Sequence, residues 1–248
     1  IHERLVGSEM CIRDRGWTPE SHKFNNVFSP TIDGHHADKI VVDGVTVTVD
    51  NPTSETTVVY AKNGQVIREQ QEVKASQIVK YVDDEGNELH KSELQEFTFT
   101  YTGDAYDEVT GAKVQTDTWN AISTDFPVVD VPVITGYVAV SGYTNNNGKY
   151  MAGGFTTTRE SSEDQRNRVF TVLYKKVGNI VPVGPDGTTP IPDAPTPSYK
   201  NDPTNPTKVI PDEPVPKVPG YTPNTPTVTP GDPTTDTLVP YTPGNPIT

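Results

Sequence analysis

Apolar residues along this chain fall at alternate positions in short runs, and turn-forming stretches separate the runs. Phe97-Thr98-Phe99-Thr100-Tyr101 alternates aromatic and β-branched residues, the period of a half-buried strand. Ile78-Val79-Lys80-Tyr81-Val82 leads into Asp83-Asp84-Glu85-Gly86-Asn87 and then Leu89, the sequence form of a β-hairpin. Ile180-Val181-Pro182-Val183 leads in the same way into Gly184-Pro185-Asp186-Gly187 and Ile191. Asp107 to Gly111 reads as a turn, Lys113 to Trp119 as a further strand and Phe170 to Lys175 as a closing strand. Only Ser92 to Gln95 offers a helical turn. No stretch keeps a helical period over three turns, so the elements predict a sheet-dominated fold.

The runs also recur. An ungapped offset of 102 places Trp17 on Trp119, Phe24 on Phe126, Val27 on Val129, Pro30 on Pro132, Ile32 on Ile134 and Gly34 on Gly136. A third copy of the last part lies 84 residues further on, at Pro216, Val218, Gly220 and Tyr221. The pattern P-x-[IV]-x-G-[HY] therefore occurs three times. Each copy precedes a closing apolar run: Val58-Val59-Tyr60, Val172-Leu173-Tyr174 and Leu238-Val239-Pro240-Tyr241. Repetition at this level marks a tandem array. The first copy has no opening hairpin before Trp17 and reads as a repeat that has lost its N-terminal half.

Composition sharpens the picture at both ends. Leu5 to Arg15, LVGSEMCIRDR, resembles the in-frame translation of a sequencing-library adapter, and residues 1–15 are set aside as such an artefact. With them goes Cys11, the only cysteine, and every disulfide, thiolate-metal and cysteine-nucleophile reading. Residues 179–248 hold 19 of the 24 prolines and 14 threonines, a composition that alone reads as disordered. The landmarks shared with the other copies favour a small β module there, stabilised by stacking on its neighbour. At 248 residues and 32% hydrophobic, several small modules fit better than one large core. A net charge of −13 excludes a phosphate-reading surface and a polybasic membrane contact, and no apolar run reaches the length of a membrane span.

Candidate chemistry is sparse. No nucleophile elbow, phosphate loop or HExxH occurs, and the 33 carboxylates form no recognisable acid–base pair, so the chain does not read as an enzyme. Asp83, Asp84, Glu85 and Asn87 offer oxygens around Gly86 but lack the spread of a calcium loop and read as a hairpin turn. His35-His36 has no metal-spaced partner; no metal and no cofactor are expected. Trp17 and Trp119 recur at one repeat position, which favours packing over sugar stacking. The segment Ser141 to Tyr150 stands apart. Tyr143, Asn145, Asn146, Asn147 and Tyr150 combine rigid aromatic contact with amide hydrogen bonding, the composition of a recognition loop, and they are the candidate ligand-binding residues.

Taken together, the 79–89 run, Phe97 to Gly103, Asp107-Glu108-Val109-Thr110-Gly111 and the W…F..V..P.I.G[HY] stretch resemble the mucin-binding (MucBP or Mub) repeats of Gram-positive surface adhesins. The resemblance implies a mainly β (α+β) fold of tandem small β-grasp-like, ubiquitin-like modules in an elongated arrangement with a Pro-rich C-terminal module. It divides the chain into 16–64, the C-terminal half of a truncated repeat, 75–178, a complete repeat, and 179–248, a shorter Mub B-two-like module. It further implies an extracellular, wall-anchored protein whose partners are host mucin glycoprotein or its glycans and the neighbouring repeats of the same chain, with no nucleic acid and no membrane insertion. Neither an export leader nor a sorting signal occurs in these residues, as in an internal fragment. Two departures stand out: His35 replaces the aromatic after the glycine, and the middle copy carries about twelve extra residues within Ser141 to Arg168.

Overall fold

The computed structural model describes residues 20–244; the adapter-like stretch and Trp17 lie outside them. The first seven strands are β1 (Ser21–Lys23), β2 (Val27–Phe28), β3 (His35–Ala37), β4 (Val41–Val42), β5 (Thr46–Thr48), β6 (Tyr60–Lys62) and β7 (Gln65–Arg68). Two long strands follow, β8 (Gln71–Val82) and β9 (Glu88–Tyr101), then a short pair, β10 (Asp104–Asp107) and β11 (Lys113–Gln115). Next come β12 (Ser123–Asp130), β13 (Tyr137–Ser141), β14 (Thr144–Asn146) and β15 (Lys149–Thr158), the one-turn α1 (Glu163–Arg166) and β16 (Asn167–Lys176). The Pro-rich end holds β17 (Ile180–Val183), β18 (Glu213–Pro214), β19 (Tyr221–Pro223), β20 (Thr227–Val228) and β21 (Thr237–Pro243).

Ser92 to Gln95 is not helical. It lies inside β9, because four residues cannot nucleate a helix in isolation while β8 alongside offers a full ladder. The helical turn is instead α1, where the Ser162 N–H donates to Gln165 Oε1 at 3.2 Å and Ser162 Oγ donates to Asp164 at 2.5 Å.

The chain forms two compact units. One contains residues up to 71 together with 101–119; the other contains 72–100 together with 120 onwards. In the first, β1–β5, β2–β4 and β3–β6 are antiparallel pairs, and β10 lies between β7 and β11. The hairpin β10–β11 therefore folds with β7, which comes from the segment just after the first copy. A polar chain that runs inward from the exposed His36 to the buried Asn63 and Asp107 supports this arrangement. His36 Nδ1 bonds Asn63 Oδ1 at 2.9 Å, and Asn63 Nδ2 donates to Asp107 at 2.5 Å. Asp107 also accepts the Val109 and Thr110 amides, and these bonds hold its carboxyl below the usual range, the Thr110 amide contributing most.

In the second unit the strand order β13-β16-β8-β9, with β16 parallel to β8, is that of a β-grasp sheet. Its usual covering helix is replaced by a second sheet, β12-β15-β14. Along β8, Ala75, Gln77, Val79 and Tyr81 are buried at period two on one face; Val79 and Tyr81 join Ala139, Val172 and Tyr174 of the same sheet in a core with Val129, Val131 and Ala152. One member of that face is polar. Gln77 is wholly buried, and its Nε2 donates to Pro127 O at 2.9 Å and Gln95 Oε1 at 3.1 Å. Its Oε1 accepts the Gly154 N–H at 2.6 Å. Gly153 and Gly154, both at positive φ, carry β15 past this amide with its register on β12 unchanged; a Cβ on Gly153 would lie 2.8 Å from Gln77 Oε1.

The three copies share one local structure. Val27 pairs with Val42, Val129 with Ala152 and Glu213 with Val228 in antiparallel register. Gly34, Gly136 and Gly220 then turn the chain at φ 70°, 81° and 78°, and the next residue's N–H reaches back to Ile32, Ile134 or Val218. The strand that follows pairs with the closing strand: β3 with β6, β13 with β16, β19 with β21. In the last two copies an opening strand lies parallel on the other side, β8 beside β16 and β17 beside β21. The Pro-rich segment thus has its own core of Ile180, Ile191, Tyr199, Val218, Val239 and Tyr241, completed by Val177 and by Val138 from β13.

Candidate functional site

The extra residues of the middle copy divide in two. From the strand after the glycine to the paired position on the returning strand the chain takes 15 steps, Tyr137 to Ala152, against 7 from His35 to Val42. Most of the excess is the hairpin β14–β15, and the remainder is the turn carrying α1.

The hairpin is built by its own sequence. Asn146 pairs with Lys149, and the two residues between them, Asn147 and Gly148, have φ 51° and 86°, the positive angles of a type I′ turn. Asn145 Oδ1 accepts the Gly148 N–H at 2.9 Å, which stiffens the tip. The amides of Asn145, Asn146 and Asn147 are all on exposed residues. At the base, Gly142 (φ 83°) lets the backbone pass directly over the Thr171 carbonyl, where a Cβ would overlap it.

Tyr143 and Tyr150 are half-buried at the foot of the hairpin, edge to face with centroids 5.4 Å apart, and both pack on the core of the second unit. Their hydroxyls differ. Burial, and then the neighbouring Tyr150, push the Tyr143 phenol up. The Tyr150 phenol is pulled down by hydrogen bonds from Thr207 and Asn205 and by the Lys208 charge; the Asn205 contact is 3.4 Å. Beside the hairpin, Lys149 pairs with Asp130 at 3.3 Å, both side chains largely in water. The five sequence-chosen residues therefore lie together, with three amides presented outward and two rings supporting them from beneath.

Other candidates have structural partners. Asp83 accepts the Glu85 and Asn87 amides and the Asn87 side chain, so its carboxylate is held low, first by that side chain, within the turn. Trp119 lies against Tyr101 at 5.6 Å. Among the described residues no group of three or more His, Cys, Asp or Glu is placed to hold a metal ion.

Sequence reasoning passed over Asn201 and Asn205. Asn201 Oδ1 accepts the Gly136 N–H at 2.8 Å and its Nδ2 donates to Tyr137 O at 2.6 Å, clamping the glycine turn; Ala139 N–H donates to Pro206 O at 2.8 Å. The signal was present as a repeated [DN]-P-T motif. In Asp202-Pro203-Thr204, Asn205-Pro206-Thr207 and Asp232-Pro233-Thr234 the first side chain accepts both the N–H and the hydroxyl of the threonine.

The sequence matches the family model of the Muc B2-like domain over residues 5–64 and 66–178. The first match begins within the adapter-like stretch, and the second ends before 179–248. Three solved structures are similar at low identity. A MucBP domain of a Lactobacillus acidophilus protein is 22% identical, covering 46% of this chain and 97% of its own, with a TM-score of 0.32. The mucin-binding domain of Spr1345 from Streptococcus pneumoniae is 17% identical over the same shares, with a TM-score of 0.31. A type 2 repeat of the mucus binding protein MUB from Lactobacillus reuteri is 18% identical, covering 63% of this chain and 76% of its own, with a TM-score of 0.29. No curated protein matches the sequence.

Proposed function

The chain belongs to the Muc B2-like domain family, and from that premise we propose that it is part of a bacterial surface adhesin whose repeats hold host mucin glycoprotein. The observation that carries this reading is the stiff β14–β15 tip. It presents Asn145, Asn146 and Asn147 from a rigid sheet, with Tyr143 and Tyr150 packed beneath. Such amides both donate to and accept from sugar hydroxyls, and need neither cofactor nor charge. Each contact is weak; tethered copies raise avidity by about 10² to 10⁴. The role is binding rather than catalysis, and the site of action is outside the cell, at the wall. No helix of the described residues is long and apolar enough to cross a membrane.

A second reading, repeats that act only as a stalk projecting an adhesive tip, is favoured by one specific observation: Asn205 and Thr207 engage the Tyr150 hydroxyl. Retention of the whole chain on immobilised mucin separates the two. The variant Asn146→Ala/Asn147→Gly keeps the Asn145 bond to the Gly148 N–H and the positive-φ turn, and removes two of the three amides. Loss of retention in that variant supports the binding reading; a parent chain that mucin does not retain supports the stalk.

A further inference from the structure

The closing strands of the three copies are equivalent in sequence but not in burial. Tyr174 and Tyr241 are fully buried, as are Val172 and Val239 two residues before them. The equivalent Tyr60 and Val58 are only half-buried. The difference has a geometric source. In the two later copies a parallel strand lies along the closing strand, Val172 facing Tyr81 and Val239 facing Pro182. Tyr81 also lies edge-on to Tyr174 at 6.5 Å. Among the described residues, β6 has β3 on one side and no strand on the other.

The backbone of that open edge is polarised for pairing. Val59 O accepts from Asp38 N–H and Asn63 N–H donates to Gly34 O, so residues 59, 61 and 63 direct their backbone groups toward the β3 side. By strand alternation Val58, Tyr60 and Lys62 direct theirs the other way.

We propose that the open edge of β6 accepts a parallel β-strand, and that the partner is an extended peptide with apolar side chains at alternate positions, of the kind that opens each complete repeat. Two copies of this arrangement exist in the same chain, each with its apolar strand in that place. The register follows from them: Val58 faces the position of Tyr81, whose ring covers Tyr60 as it covers Tyr174. Main-chain bonds to the edge provide affinity, and the alternate side chains provide selection. The site is separate from the β14–β15 tip and does not depend on what that tip binds.

The test uses the whole chain and a synthetic peptide of residues 77–86, followed by calorimetric titration and amide exchange. The expected result is saturable binding that slows exchange at Val58 and Tyr60 by about tenfold, as for amides brought into a ladder. A peptide with aspartate at the positions of Val79 and Tyr81 should not bind. No binding, equal binding by a scrambled peptide, or protection confined to residues outside 58–62 overturns the proposal. Because only the peptide is altered, loss of binding cannot come from an unfolded protein.

Discussion

The hydroxyl of Tyr174 donates to the carbonyl of Pro132 at 2.7 Å. Tyr241 makes the same bond to Pro216 at 2.6 Å, and Tyr60 to Pro30 at 2.6 Å. The tyrosine that ends each copy thus ties down the proline that begins its turn, and a phenol can enter the core because its oxygen finds a partner there. Tyr174→Phe leaves the Pro132 carbonyl unpaired and should cost about 1–3 kcal/mol. Tyr60→Phe should cost less, since water reaches that half-buried site. Amide exchange, read separately at Val172 and at Ala61, measures the two effects.

Gln77→Leu keeps much of the volume and removes every bond that joins the two sheets through this side chain. The Gly154 N–H and the Pro127 carbonyl then lose a partner, and the expected destabilisation is about 2–5 kcal/mol. Thermal unfolding of the second unit, monitored by near-ultraviolet circular dichroism, should show it as a clear fall in midpoint.

Two glycines at nearly equal φ should respond unequally. At Gly136 an added methyl meets nothing within 4 Å, so Gly136→Ala should cost only the strain of the left-handed backbone, about 1 kcal/mol. At Gly142 the methyl overlaps the Thr171 carbonyl, and Gly142→Ala should cost on the order of 3 kcal/mol. Parallel denaturation curves of the two variants give the comparison.

Acid should loosen the β10–β11 hairpin late. Asp104 is buried, and the Lys113 ammonium, then the Tyr101 hydroxyl and the Asp117 amide, lower its carboxyl from 3.8 to about 2. A depressed carboxylate contributes stability that is fully present above its ordinary value and is lost as pH falls through the folded one. The loss should therefore fall between about pH 4 and pH 2. Carbon-detected NMR of the Asp104 carboxyl should give a midpoint near the lower end. Asp104→Asn should abolish that part of the pH dependence.

If amides rather than charges hold the glycan, the acidity of the chain acts against sialylated or sulfated partners. Enzymatic removal of sialic acid from immobilised mucin should increase retention of the whole chain, as should a rise in salt that screens the repulsion. Weaker retention after either treatment contradicts the amide reading.

What could be read from the sequence was local and periodic. The alternation in Phe97 to Tyr101 and the triplicated Pro-to-Gly pattern each determine a few neighbouring residues, and each stands in the structure where its chemistry places it. Ser92 to Gln95 misled because a four-residue propensity is outweighed by a strand partner. The grouping of β10–β11 with β7 and the burial of Gln77 depend on contacts dozens of positions away, which no local window contains. The candidate hairpin was visible by composition. The clamp from Asn201 and Asn205 was not, because amides in a proline-rich tract look like solvated linker until their targets at Gly136, Tyr137 and Tyr150 are known.

The side-by-side, same-direction course of β8 with β16 and of β17 with β21 has a mechanical consequence. Tension pulling the two ends of either module apart slides these strands along one another, so the rungs between them resist together instead of opening one after another. Such a link resists a pull along the strands better than one whose rungs part in turn.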